Sequence, residues 1–518
     1  MNFAEGGGSS ANHLRPSLLG RALFAGPLIL AHAVVHAQTQ KTDLSISSTL
    51  TATNNGAVAA GDAQRSDLLF SVRPRVQYAR EGAGVRVQAA ADADFVTSAN
   101  NTRRDRVLPT AGLALQGTVV ERLLFIEANA NVRQVEADAF GARASTDPSG
   151  NSRTVGTYQL SPYLNLEMSP RTSLLARADA ARTRYAGTLE GDVDTRRALV
   201  RLDAKPEPLG ATLEFQSENN EYADQSSSDL RIDRLTAAVN FALNAEWIVG
   251  AALGSERSEF ASTKETSRVS GLRVFWAPGP RTQVAGAFDH RFFGNGWNVT
   301  ARHRTPQTSI VLRSLREPSS AASSLAGQGS TGGLASFLGA VLTTRHPNDA
   351  ERRSLVDDLI ATRGLPTSIA GASATTGAYA QLRTGHELTW LWFSPRTSLL
   401  LSVYAQELRQ LTRSDGTAVA LGTPIGDSRQ RGASFGWNRR LTPQTALDTS
   451  LSWSRIEGLA LRAGDRTTEG SLRASIVRNL SPATNLSFGL LFRRVDTNVT
   501  TVIPSDENAA FVGLGHRF

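Results

Sequence analysis

Phe70-Ser71-Val72-Arg73-Pro74-Arg75-Val76-Gln77-Tyr78 alternates apolar and polar side chains over its whole length. Successive side chains of a strand point to opposite faces, so Phe70, Val72, Pro74, Val76 and Tyr78 share one face and Arg73, Arg75 and Gln77 the other. The next run sets Val85, Val87, Ala89, Ala91, Ala93 and Phe95 against Arg86, Gln88, Asp92 and Asp94. A third sets Leu124, Ile126, Ala128, Ala130 and Val132 against Glu127, Asn129, Asn131 and Arg133. A soluble sheet with one wet face would alternate in the same way. The many Ala and Gly on the apolar face would fill a soluble core poorly but are acceptable against lipid. Long alternating strands in series fit a membrane barrel with a polar interior.

Counting such runs from Asp43 to Phe518 gives about 22 strands, and an even number puts both termini on the periplasmic side. The expected fold is therefore all-β: a transmembrane antiparallel up-and-down β-barrel of about 22 strands. Tight turns alternate with longer polar loops such as 54–65, 98–106 and 141–153, the asymmetry of periplasmic turns and outer loops. The tight turns repeat in sequence: Ser169-Pro170-Arg171-Thr172, Thr305-Pro306-Gln307-Thr308, Ser394-Pro395-Arg396-Thr397, Thr442-Pro443-Gln444-Thr445 and Ser481-Pro482-Ala483-Thr484. Proline presets the first corner, and the flanking hydroxyls can bond the turn backbone. Trp247, Trp276, Trp390, Trp392 and Trp437 lie near such turns, where a periplasmic aromatic girdle belongs. The last strand places Ala510, Val512, Leu514, His516 and Phe518 on one face, and Leu514, His516 and the terminal Phe518 form the signal read by a barrel-assembly machinery.

The N-terminus reads as an address. Arg15 and Arg21 precede an apolar run from Ala22 to Val35, and Val35-His36-Ala37 offers small residues for cleavage. Residues 1–37 are thus expected to be a signal peptide and 38–518 the barrel, in a Gram-negative outer membrane. Residues 317–377 interrupt the alternation as a partly helical insert, extracellular or folded into the lumen. Its clearest helix runs from Asn348 or Asp349 to Arg363, with Leu355, Val356, Leu359 and Ile360 as an apolar stripe and Gly364 and Pro366 as a stop.

Cations outnumber acids, 55 Lys and Arg against 47 Asp and Glu, and only Lys41, Lys205 and Lys264 are lysines. Beside a plain preference for arginine, this excess fits a cationic lumen or rim facing anionic sugars or lipids. The candidate lumen charges are Arg73, Arg75, Arg86, Arg133, Arg177, Arg273 and Arg291, set against Asp92, Asp94, Glu127, Asp179 and Asp289. Arginines in a lumen favour anions. No basic stripe with aromatic platforms supports nucleic acid. No cysteine is present, the mature histidines show no ligand spacing, and no P-loop, G-x-S-x-G or H-E-x-x-H occurs. No catalytic set, cofactor or metal is assigned, and the chain is not expected to be an enzyme. TonB-dependent transporters share the strand count but carry a plug domain before the barrel; here the first strand follows soon after the cleavage site, which speaks against that class.

Arg103-Arg104-Asp105-Arg106, the Leu160-Ser161-Pro162-Tyr163 strand start, and Pro347-Asn348-Asp349-Ala350-Glu351-Arg352 running to Gly364-Leu365-Pro366 resemble the outer-membrane proteins associated with the PEP-CTERM/exosortase system. That resemblance implies a part in exopolysaccharide export or sorting-system function, and it supplies no catalytic residues. Two expectations follow: a pore or conduit for anionic polysaccharide, or a structural barrel that anchors polymer or a partner protein at the cell surface. Outer-membrane lipid and the assembly machinery are the remaining expected partners.

Overall fold

The computed structural model describes residues 39–141, 151–186, 192–223, 229–260, 263–319, 339, 342, 356, 381–411 and 427–518. Residues 39–518 form one compact unit. The cleavage site near Ala37 lies outside the described residues, as does most of the 317–377 insert. Within that insert Gly339, Leu342 and Val356 are helical.

The unit is a single antiparallel sheet of 22 strands closed into a ring. The first eight are β1 (Thr39–Thr53), β2 (Asp67–Glu81), β3 (Val85–Ser98), β4 (Arg106–Val120), β5 (Leu124–Glu136), β6 (Ser152–Glu167), β7 (Thr172–Tyr185) and β8 (Val193–Ala204). Next come β9 (Leu209–Tyr222), β10 (Leu230–Ala242), β11 (Trp247–Phe260), β12 (Thr263–Gly279), β13 (Thr282–Arg291), β14 (Gly294–Arg304) and β15 (Thr308–Ser319). The last seven are β16 (Gln381–Phe393), β17 (Thr397–Gln410), β18 (Ser428–Thr442), β19 (Thr445–Gly458), β20 (Arg466–Asn479), β21 (Thr484–Thr497) and β22 (Ser505–Arg517). Closure is made by β1 against β22, from Ser45↔Arg517 to Thr53↔Ala509. Beyond the ladder, the backbone N–H of Phe518 donates to the carbonyl of Leu44 at 2.9 Å.

The alternation sorts the two faces. Leu50, Phe70, Phe95, Leu113, Leu253, Phe288 and Phe488 are exposed on the outer wall, where lipid covers them. That apolar band ends toward the outer side at arginines: Arg182 on β7, Arg196 on β8, Arg257 and Arg268 on β11 and β12, Arg431 and Arg455 on β18 and β19. Four of the five proline turns hold as their sequence predicts, while at the fifth Thr442 accepts only from the Gln444 N–H, at 3.3 Å. The side-chain oxygens of Ser169, Thr305, Ser394 and Ser481 each accept from the backbone N–H three residues on, at 3.0 Å.

Three details depart from expectation. The outer connections are not uniformly long: β13 and β14 are joined by Phe292 and Phe293 alone, with Gly294 at φ +89° completing the turn. Phe292 is 1% exposed against Leu230 and Leu411, so this short hairpin folds into the mouth. β15 continues through Glu317 and Pro318 to Ser319, past the expected start of the insert. Above Arg316 its only partner is β16, so a residue without an N–H is tolerated there. Leu160-Ser161-Pro162-Tyr163 lies in the middle of β6 and not at its start.

Prolines inside the wall interrupt the ladder. The β2–β3 pairing skips Arg73 and Pro74, and the β6–β7 pairing skips Ser161 and Pro162. Polar side chains bridge both gaps from the lumen side. Arg73 is paired with Asp94, the residue directly across its gap, and Gln159 donates to Asp179 at 3.3 Å. Pro74→Val supplies the missing donor and should raise the unfolding free energy by about 1 kcal/mol. Asp94→Ala should then cost less in the Pro74→Val background than in the native chain. Urea titrations of the four proteins in micelles read both; strictly additive effects would mean that the ion pair does not stand in for the ladder bond.

Candidate functional site

The inner wall is the candidate site. Strand parity brings the expected charges to it and mostly pairs them. Arg177 of β7 lies 2.9 Å from Glu127 of β5 and 2.9 Å from Asp179. Its guanidinium also sits 5.5 Å from the ring centre of Tyr163, which stacks on Phe125. Arg273 meets Asp289 at 2.6 Å. Arg73 reaches Asp94 and lies 3.9 Å from Asp92. Arg86 turns to Glu81 at 2.8 Å and Gln116 at 3.2 Å near the periplasmic turn. Arg133 faces inward beside Tyr185 and Glu136. Arg75 stands across from Asp92, with its Nε buried and unbonded. The arginines are therefore not a free cationic lining. Carboxylates neutralise most of them, which removes the basis for a strong anion preference.

A more deeply buried pair includes a residue the sequence pattern did not single out. Arg291 lies 2.5 Å from Glu256 of β11, and Glu256 is 0% exposed. Glu256 sits between Gly254 and Ser258 on the inward parity, and that parity was the signal available for it. Arg493 and Glu469 form a second buried pair at 3.0 Å, and Glu507 accepts from the Thr53 hydroxyl at 3.0 Å. Phe511 also faces inward, with the Arg473 guanidinium 4.0 Å from its ring centre. An aromatic residue on the wet side of the last strand breaks the simple pattern, and a cation covers it.

The mouth is crossed by contacts between distant strands. Phe140, just after β5, is 1% exposed against Ile456 of β19 and Val499 after β21. The Arg462 guanidinium stacks 3.8 Å from the Phe140 ring centre and also meets Asp138 at 3.5 Å and Asp465 at 2.8 Å. Leu230, Phe292 and Leu411 join β10, the β13–β14 turn and the end of β17. On β16 to β18 much of the inner wall is covered: Thr389, Leu391, Phe393, Ser402, Gln406, Gln430 and Asn438 are buried, while Arg383, Glu387 and Arg440 stay at least partly exposed. Leu342 and Val356 of the insert are buried too. On β2 to β4, by contrast, the inward positions from Ser71 to Ala79, Arg86 to Asp94 and Leu108 to Thr118 are all at least partly exposed. A wetted strip thus runs down one sector of the lumen.

The expected girdle tryptophans share the outer face at the periplasmic end. Trp247 and Trp276 are register partners with rings stacked at 5.4 Å, and Trp390, Trp392 and Trp437 stand across from Ile310, Leu399 and Thr449. His516 bonds Thr484 at 3.0 Å and meets Phe518 edge to face, while Leu514 and Phe518 are exposed. His290, His303, His386 and His516 all lie on outward parity, bonded to Asn295, Thr282, Ser314 and Thr484. None is placed to assist a lumen carboxylate.

The chain is an outer-membrane β-barrel. No family model matches it, and no curated protein does. Solved barrels resemble it in fold. The FrpB iron transporter from Neisseria meningitidis (F5-1 variant) shows 7% identity over 92% of this chain and 82% of its own, at a TM-score of 0.45. The siderophore receptor PirA from Pseudomonas aeruginosa shows 10% identity over 92% and 80%, at 0.39. OccK2 (OpdF) from Pseudomonas aeruginosa shows 10% identity over 92% and 98%, at 0.33.

Removing Arg291 leaves the desolvated Glu256 carboxylate without its directly bonded cation, facing only Arg234 across the ladder. Arg291→Ala should cost about 3–5 kcal/mol of stability, and Arg291→Ala combined with Glu256→Ala should recover more than half of it. Unfolding followed by tryptophan fluorescence measures both. A single-variant loss under about 1 kcal/mol would show that water or the facing Arg234 compensates the carboxylate.

Proposed function

We propose that this barrel is a partly occluded conduit for a hydrophilic polymer, an exopolysaccharide, across the outer membrane. The observation that carries the reading is the exposed inner strip on β2 to β4. Gln88, Thr110, Ala114 and Gln116 are open there, and Arg73 and Asp94 offer a balanced pair of charges. Neutral hydrogen-bonding groups with paired charges can pass sugar hydroxyls and scattered carboxylates without holding either tightly. Polysaccharide as the cargo rests on the resemblance to exosortase-associated outer-membrane proteins. The Phe140–Arg462 contact and the covered inner wall of β16 to β18 would narrow the path.

The covered sector supports a second reading, a surface anchor whose lumen is filled. Secreted and cell-attached polymer in a strain lacking the gene distinguish the two. Loss of both supports the conduit, while shedding of polymer into the medium supports the anchor.

In planar bilayers the conduit should conduct with a cation-to-anion permeability ratio within about twofold of unity. Phe140→Ala should raise the conductance by freeing the mouth. Asp92→Asn with Asp94→Asn should shift the reversal potential toward anions, because Arg73 and Arg75 then lose their counter-charge. A native barrel and a Phe140→Ala barrel that both stay silent would sink the conduit.

A further inference from the structure

One dense group of cations among the described residues faces away from the lumen. On β18 and β19, Arg431 and Arg455 are register partners on adjacent antiparallel strands. Each shares its face with apolar residues: Arg431 with the half-buried Ala433 and Phe435, Arg455 with the exposed Trp453 and Leu451. Trp453 is 43% exposed and Leu451 50%, which marks that face as the lipid-facing one. Like charges directly opposite across a sheet repel, so this placement works against the fold.

Neighbouring acids offset only part of the charge. Glu457 meets Arg455 at 2.5 Å, and Glu407 is shared by Arg409 at 2.5 Å and Arg429 at 2.7 Å. Arg466, across from Glu457 on β20, adds another exposed cation. The ion pairs on this face hold Glu407 against Arg409 and Arg429, and Glu457 against Arg455. Arg431 has no ion-pair partner among the described residues, and the Nε of Arg455 is buried and unbonded.

The height of the group identifies its surroundings. On β18 the outward positions between Arg431 and Arg439 are Ala433, Phe435 and Trp437. Eight residues span about 27 Å along a strand, or about 20 Å after a tilt of about 40°, close to the roughly 25 Å apolar band of such barrels. Arg431 and Arg455 therefore lie at the outer edge of the hydrocarbon, level with lipid headgroups. Trp453 just below them has the place of an interfacial aromatic residue. Guanidinium forks match phosphate oxygens in pairs, and a phosphate between Arg431 and Arg455 would turn their repulsion into attraction.

We propose that the outer face of β17 to β20 binds a phosphorylated lipid headgroup of the outer leaflet, with Arg431 and Arg455 as the central clamp. The side chains point sideways into the membrane, so the occupant is a lipid and not a solute of the lumen. On β21 and β22 the outward Arg494 is already paired with Asp506 at 3.6 Å, and on β1, β3 and β5 the outward residues Asn54, Thr97 and Gln134 carry no charge. At the other band-edge arginines, Arg182, Arg196, Arg257 and Arg268, the register partners are Asp194, Ala180, Thr266 and Ser255, so the directly opposed pair on β18 and β19 should bind in preference to them.

Native mass spectrometry of the full barrel in detergent tests this with diphosphoryl lipid A and its fully dephosphorylated counterpart as probes. The diphosphoryl lipid should bind at least about tenfold more tightly, in line with two charge-assisted contacts. Arg431→Ser with Arg455→Ser should abolish most of that preference, while Arg439→Ser at the periplasmic end of the same face should leave it intact. Equal binding of the two lipids by the native barrel would overturn the proposal without any variant. So would an unchanged preference in the double variant, whose folding is verified by its heat-modifiable migration and is not endangered by relieving a repulsion.

Discussion

In hydrocarbon a backbone N–H or C=O that finds no partner costs several kcal/mol, and a sheet escapes that cost only by closing on itself. The β1–β22 ladder is therefore the contact on which the rest of this structure depends. It commits both end strands to one register, and from that register every side chain on the ring is sent inward or outward. The same constraint explains the lumen charges beside the prolines. Pro74 and Pro162 each remove a donor from the wall, and Arg73 with Asp94 and Gln159 with Asp179 join the strands where the ladder is broken. Part of what looks like a transport lining thus also holds the wall together.

Inside the ring, pairing decides what the arginines can do. A lone guanidinium in a lumen attracts anions, but Arg177 between Glu127 and Asp179, or Arg291 on Glu256, has spent its charge on the protein. Such pairs run from β2 through β13, so they brace neighbouring strands around much of the circumference. They leave a surface that is polar without being strongly biased. The Phe140–Arg462 contact closes a chord of the mouth by a different device, a cation over a buried ring.

The barrel was legible in the sequence because lipid and water select side chains with a period of two, and that period survives in every strand. The 22 strands, the proline turns and the inward parity of Arg73, Glu127, Asp179 and Arg273 follow from it directly. Parity does not reveal which charges meet. Glu127 pairs with Arg177 two strands away, a distance set by the length of the arginine side chain and not by sequence spacing. Nor does it reveal the β13–β14 hairpin, where Phe292 and Phe293 extend the strand pattern into a turn and Gly294 reverses the chain. Glu256 and Phe511 were missed for opposite reasons. Glu256 obeys the inward parity inconspicuously, while Phe511 is apolar on the polar face and makes sense only once Arg473 lies over it.

The inner and outer walls are asymmetric in the same direction. Outward arginines at the upper edge of the apolar band occur on β7 and β8, on β11 and β12, on β18 and β19, and on β21, where Arg494 is paired with Asp506 of β22, while β1, β3 and β5 have uncharged residues at that height. The open inner strip lies on β2 to β4, and a largely covered inner face lies on β16 to β18, directly behind the Arg431–Arg455 pair. A strand can shift only if neither face is held. Headgroups gripped outside and packed residues inside would both restrain the β16–β18 sector. The β2–β4 sector has water on one side and lipid tails on the other, and its β2–β3 ladder is already interrupted at Pro74. Any widening of the path therefore meets least resistance along β2 to β4, where the polar strip lies.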